Sequence, residues 1–260
     1  MFESSCTFIP KRFSGSIKTI LVQKTLQTTG LGESTLHEKI GNINEIIGDS
    51  KLAFLPSVSG VRLRINSTGK NEDEAKHKLE VIESKIREKV GVHIFGINED
   101  ELEKVVGDIL AERKQTLSVA ESCTGGRISS RIVSVPGSSR YYIGGACVYS
   151  NKEKFDLLNV RKETINKYGA VSEQTAIEMA IGIRDLMETD FSLSATGIAG
   201  PTGGTEEKPV GLVWIGFSSK DKTYAKDFLF GNIRDINIER ASQRALEILR
   251  RELLNIEIKF

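Results

Sequence analysis

From Glu101 onward, short apolar runs alternate with stretches patterned at helical spacing, and this alternation constrains the fold more than any other feature of the chain. Leu102, Val105, Val106, Ile109 and Leu110 fall on one face of a helix. Leu117 to Ala120 reads as a short apolar strand, and a helix carrying Ile128 and Ile132 is predicted from Gly125 onward. Gly145 to Tyr149 is strand-like and Lys152 to Leu158 helical, while Ser172, with Glu173 in the first turn, caps a helix running to about Met187. Phe191 to Ala195, Val210 to Phe217 and Lys222 to Phe230 read as strands, and a last helix spans Arg234 to Leu254. Strands that alternate with helices need a sheet covered on both faces, so an α/β fold, a three-layer α/β/α sandwich, is expected over residues 98–260. The hairpin-like pair near the end makes its sheet mixed. Ligands bind such sheets beyond the carboxyl ends of the strands.

Residues 26–97 have another style and read as a small α+β domain. Thr35 and Glu38 have the spacing of a capping box, followed by a helical stripe of Leu36, Ile40, Ile43 and Ile47. Lys51 to Leu55 and Val61 to Ile65 form a predicted hairpin about Pro-Ser-Val-Ser-Gly. Asn71 caps a helix with Ala75, Leu79, Ile82, Ile86 and Val90 on one face; Gly91 stops it, and Val92 to Phe95 is a closing strand. No catalytic cluster is found there. The arginines of the second strand read as a solvated sheet face, because Glu72, Asp73 and Glu74 follow closely and cancel their field. Residues 1–25 are polar and unpatterned and read as a remnant or extension.

Charge and cysteine usage narrow the function. Thirty-six basic and 35 acidic residues leave a net charge of +1, which argues against a nucleic-acid or membrane-surface partner. No run approaches the about 20 apolar residues of a spanning helix, and the first residues lack a signal-peptide core. Cys6, Cys123 and Cys147 are odd in number and not in metal-ligand spacing, as expected for free thiols in the cytoplasm. Neither a metal nor a cofactor is expected.

Three loops hold the unusual residues. Ala120-Glu121-Ser122-Cys123-Thr124-Gly125-Gly126 joins a strand to a helix. A serine there lies near a positive dipole end, where an oxyanion or phosphate is favoured, although the same turn is also what a plain capped helix start looks like. Tyr149-Ser150-Asn151-Lys152-Glu153-Lys154 is a second strand-to-helix junction, in which Lys154 could equally be a solvated lysine and Tyr149 a core aromatic. The third is the Gly-rich stretch from Thr196 to Gly211, which matches neither common nucleotide-binding loop. His37, His77 and His93 all lie in the first domain. A Ser-His-Asp arrangement within the second is therefore ruled out; if Ser122 is a nucleophile its base must be another group, and lysine or tyrosine are the available types. A lysine can serve only if burial or a cationic neighbour lowers its pKa from about 10.4. Cys123 is an alternative nucleophile with no histidine beside it.

The runs LSVAESCTGG, VPGSSRYYIGG, YSNKEK, GAVSE and TGIAGPTGGTEEKPVG, with the late Arg234, resemble the C-terminal domain of the competence/damage-inducible (CinA) family, the nicotinamide-nucleotide amidases. The resemblance extends from about Thr116 to Ala245, and TTGLGES, VRLRI and HIFG are similar to the family's middle domain. It implies a further N-terminal domain, similar to molybdopterin-binding proteins, of which only a remnant would precede Leu26. It also implies an enzyme that converts nicotinamide mononucleotide and water into nicotinic acid mononucleotide and ammonia. Ser122 takes the nucleophile position, with Tyr149 and Lys154 as activating partners. Thr124, Gly125, Thr196, Gly197, Gly203, Gly204 and Arg234 fall in the implied substrate pocket. The family has Gly-Asp-Arg with a basic residue four positions on, whereas this chain reads Gly231-Asn232-Ile233-Arg234 and then Ile238, so the turn at Arg234 is altered. The competing readings are a catalytically silent nucleotide-binding module and, from the family's name, a nucleic-acid-associated protein. A homo-oligomer is compatible with the sequence and not required by it.

Overall fold

The computed structural model of the chain describes residues 19–257, in two units that divide between Asp100 and Glu101. The first runs β1 (Ile20–Thr28), α1 (Glu33–Ile40), α2 (Ile43–Ile47), β2 (Lys51–Pro56), β3 (Val61–Gly69), α3 (Glu72–Val90) and β4 (Ile94–Ile97). Its antiparallel sheet has the order β2-β3-β1-β4, and the helices cover one face. Alternation in β3 sends Val61, Leu63 and Ile65 into a core with Leu79, Ile82 and Ile86 of α3, which the Asn71 side chain caps by accepting the Glu74 amide at 2.9 Å.

Three expectations for this unit are corrected. The central strand β1 begins at Ile20, inside the stretch read as an extension. Lys24 hides it in the sequence. That residue stands opposite Ile65 on the helix-covered face, where its ammonium group reaches Glu83 of α3 at 2.6 Å. The rest of that stretch, residues 1–18 with Cys6, lies outside the described residues. The capping box at Thr35 and Glu38 does not form, because the helix already starts after Gly32 and Thr35 lies in its first turn. The expected single helix is also divided, since Gly41 turns the backbone to φ +81° between α1 and α2.

The second unit runs α4 (Leu102–Arg113), β5 (Leu117–Glu121), α5 (Arg127–Ser134), β6 (Tyr142–Cys147), α6 (Asn151–Leu158), α7 (Lys162–Tyr168), α8 (Glu173–Met187), β7 (Phe191–Gly197), β8 (Leu212–Ser219), β9 (Thr223–Leu229) and α9 (Arg234–Leu253). The sheet order is β6-β5-β7-β8-β9, parallel over the first three strands and antiparallel over the rest. Helices α4, α5 and α9 pack together on one face and α6, α7 and α8 on the other, which is a three-layer sandwich with a mixed sheet. Helix α8 lies close against the strands because small residues face it: the Ser192 and Ser194 hydroxyls donate to its Ala180 and Ala176 carbonyls at 2.6 Å.

One boundary differs at a functional place, and one helix is added. The strand expected at Gly145 to Tyr149 is β6, set earlier by its parallel register with β5 (Leu117 opposite Tyr142, Glu121 opposite Cys147), so Tyr149 stands in the loop beyond it. Helix α7, too short to show a periodic stripe, was not expected. Among the described residues no helix is long and apolar enough to cross a membrane.

Candidate active site

Strand β5 is buried along its whole length, with a parallel neighbour on each side, so its carboxyl end opens where two loops can meet over the sheet. There the chain turns through Ser122, Cys123 and Thr124. Gly125 (φ +61°) and Gly126 (φ +93°) take it left-handed into α5, and a side chain at either would have open space before it. The second loop follows β6. Ser150 caps α6 by accepting the Glu153 amide at 3.1 Å, which places Lys154 in the first turn. Helical side chains lean toward the helix N-terminus, and Lys154 accordingly reaches back over the loop.

Lys154 is only 1% exposed, and its ammonium nitrogen lies 3.1 Å from Ser122 Oγ, 2.9 Å from the Val148 carbonyl and 3.3 Å from the Tyr149 carbonyl. No described carboxylate pairs with it. Burial lowers its pKa below the ordinary lysine value. Lys152, two residues earlier, is exposed and paired with Asp156. Cys123 is buried, and that burial pushes its thiol up to about 12, so it holds no thiolate at neutral pH.

Tyr149 is placed differently from a proton relay. The residue is 64% exposed and its hydroxyl takes a long hydrogen bond, 3.5 Å, from Arg234; only its backbone carbonyl meets Lys154. Arg234, in the first turn of α9, also donates to the Gly200 carbonyl at 2.9 Å. Asn237, one turn on, donates to the carbonyls of Ala199 and Gly231 at 2.9 and 2.8 Å, holding together the two turns that frame Arg234. The altered turn thus has its own support, which the sequence reading missed.

The structure gives the expected pocket residues unequal surroundings. Thr124 is buried and its hydroxyl has no hydrogen-bond partner among the described residues. The Thr196 hydroxyl is occupied by the Ala170 carbonyl at 2.7 Å. At Gly197 a side chain would strike Leu212 and Val213 of β8, and at Gly204 it would strike Val210, so both allow close packing of the chain. Gly203 has φ +89° in the exposed part of the loop.

One residue was overlooked altogether. Glu121, 1% exposed, fills the N-terminus of α5: its carboxylate accepts the amides of Gly126, Ile128 and Ser129 at 3.0, 3.1 and 2.8 Å and the Ser129 hydroxyl at 2.7 Å. The positive end of α5, where an anion was expected, is therefore taken. No local capping rule covers a carboxylate that caps from the strand before, so the sequence carried no signal for it. In the turn itself the amides of Ser122, Gly125 and Arg127 donate to Ala195, Ser122 and Thr124 carbonyls, whereas those of Cys123 and Thr124 have no backbone acceptor among the described residues.

A buried serine–lysine pair at the carboxyl end of a parallel strand, in a three-layer α/β/α domain, defines a class equipped for nucleophilic chemistry without histidine. The comparisons agree with the architecture and narrow it. Residues 99–253 match the CinA C-terminal domain and residues 23–96 the damage-inducible protein CinA KH domain. The chain belongs to the CinA family. It is 44% identical over 231 residues to a CinA-like protein of Salinibacter ruber, covering 88% of this chain and 56% of that protein. It is 41% identical over 261 residues to a putative competence-damage inducible protein of Thermoanaerobacter pseudethanolicus, covering 99% and 62%. The chain thus spans little more than half the length of these relatives. Among solved structures, competence/damage inducible protein CihA of Agrobacterium tumefaciens is similar at TM-score 0.57 and 35% identity, covering 59% of this chain and 93% of that one. A CinA superfamily protein of Escherichia coli is similar at TM-score 0.55 and 30% identity, covering 57% and 87%.

Proposed function

We propose that this chain hydrolyses the carboxamide of nicotinamide mononucleotide to nicotinic acid mononucleotide and ammonia. The observation that carries the reading is the 3.1 Å contact between Lys154 and Ser122, made by a buried lysine with no carboxylate partner among the described residues. In its neutral form Lys154 takes the Ser122 proton as Oγ attacks the carboxamide carbon, and returns it to the departing nitrogen, which leaves as ammonia. Water then attacks the ester, giving its proton to Lys154, and the acid leaves as Ser122 Oγ is reprotonated. The amides of Cys123 and Thr124, which have no backbone acceptor among the described residues, are the donors suited to the oxyanion. With the N-terminus of α5 taken by Glu121, the phosphate goes to Arg234, whose planar fork suits it, and to amides of the Gly200 to Gly204 loop. Tyr149, exposed beside Arg234, positions the nucleotide instead of carrying a proton.

Ammonia release from nicotinamide mononucleotide by the purified chain tests the proposal. Turnover lost on Ser122→Ala supports it. Tight binding of the nucleotide without ammonia would instead favour the silent binding module.

A further inference from the structure

The Glu121 carboxylate has no part in the chemistry just described, yet it is buried in the turn that carries the nucleophile. All four of its partners are donors, the set an ionised carboxylate takes. The Ser129 hydroxyl is itself held by the Tyr142 phenol at 2.7 Å, so the arrangement is fixed from both sides. The backbone of Glu121 also bridges the two catalytic loops. Its carbonyl accepts the Val148 amide at 2.8 Å, and the Val148 carbonyl accepts Lys154. A helix N-terminus facing a pocket attracts anions, with a partial charge of about half a unit. Left open, the start of α5 would hold a carboxylate in preference to a neutral amide. The proposed reaction converts the amide into the carboxylate at this turn.

Resting on the proposed deamidation, we infer that Glu121 makes the Ser122 turn select the neutral carboxamide over the carboxylate product. Its charge cancels the helix end and repels the acid formed beside Ser122, which favours release of the product. Glu121 is a positioning and selectivity residue, since its carboxylate is occupied by Gly126, Ile128 and Ser129.

The test compares binding of nicotinamide mononucleotide and nicotinic acid mononucleotide by calorimetry, with the full chain in a Ser122→Ala background so that nothing turns over. The amide should bind more tightly than the acid. Adding Glu121→Gln should shift the ratio toward the acid by about tenfold, the size of helix-end effects in partly buried sites, and Glu121→Asp should restore part of it. An unchanged ratio in a folded Glu121→Gln protein overturns the inference. So does tighter binding of the acid by the Ser122→Ala chain alone, which needs no variant at Glu121 to fold. Failure of that chain to bind either nucleotide would overturn the deamidase reading itself.

Discussion

At the scale of single residues, the contrast between Ser122 and Cys123 is one of partner and acidity. The serine faces a buried amine, whereas burial holds the adjacent thiol near 12. Ser122→Ala should therefore lower turnover by several orders of magnitude with nucleotide binding largely kept, and Cys123→Ala should be mild; steady-state kinetics of both variants decides this. Lys154 makes the sharper case. A solvated lysine replaced by methionine changes stability by no more than about 0.5 kcal/mol and leaves activity alone, which is the outcome expected for Lys152. Lys154→Met should abolish turnover while the melting temperature is kept or raised, because it removes a buried amine that is costly to charge. The sign of the pH dependence follows. Only the neutral amine can accept the Ser122 proton, so kcat falls as pH drops through the lowered pKa and reaches its plateau before the ordinary lysine value of 10.5. A profile still climbing at 10.5, or equal tolerance of methionine at both lysines, would remove the serine–lysine mechanism.

At the scale of elements, the lysine depends on where α6 is held. Its end rests directly on α8 at Gly182, where an added Cβ would lie 2.0 Å from the Leu158 carbonyl oxygen. Gly182→Ala has to displace α6 and with it Lys154. We expect a loss of stability of about 1–3 kcal/mol and a drop in kcat larger than any rise in KM, since Arg234, proposed to hold the phosphate, stands on α9. Denaturant titration and kinetics on one sample check both. A variant with lowered stability and unchanged kcat would mean that the Lys154 contact tolerates movement of its helix.

For the molecule as a whole, the division between Asp100 and Glu101 leaves every residue proposed for chemistry in the second unit, together with a complete five-stranded sheet and its six helices. The fragment from Glu99 onward should fold and hydrolyse nicotinamide mononucleotide at a rate close to that of the full chain. An insoluble or inactive fragment would show that residues before it support the core or the site.

Periodic burial made most of this architecture legible in the sequence. Alternating strands and helices announced the layered second unit, and the strand-to-helix junctions at Ser122 and Lys154 could be placed because such junctions gather at one edge of a sheet. The absence of histidine from that half already left lysine and tyrosine as the available bases if Ser122 is a nucleophile. What the sequence could not carry are contacts set by residues far apart in the chain. Lys24 breaks the pattern of β1 because its partner, Glu83, stands on a helix formed much later. On α9, Glu247 is buried between Arg250 and Arg251, a charged cluster that helical periodicity assigns to solvent. Glu121 and Ser129 are eight residues apart, and only the turn through two left-handed glycines brings the carboxylate onto the start of α5. The chain order of apolar and polar residues determined the layers. Which charges are buried, and what each of them faces, was decided only when those layers closed, because desolvation acts through neighbours in space and local spacing does not record them.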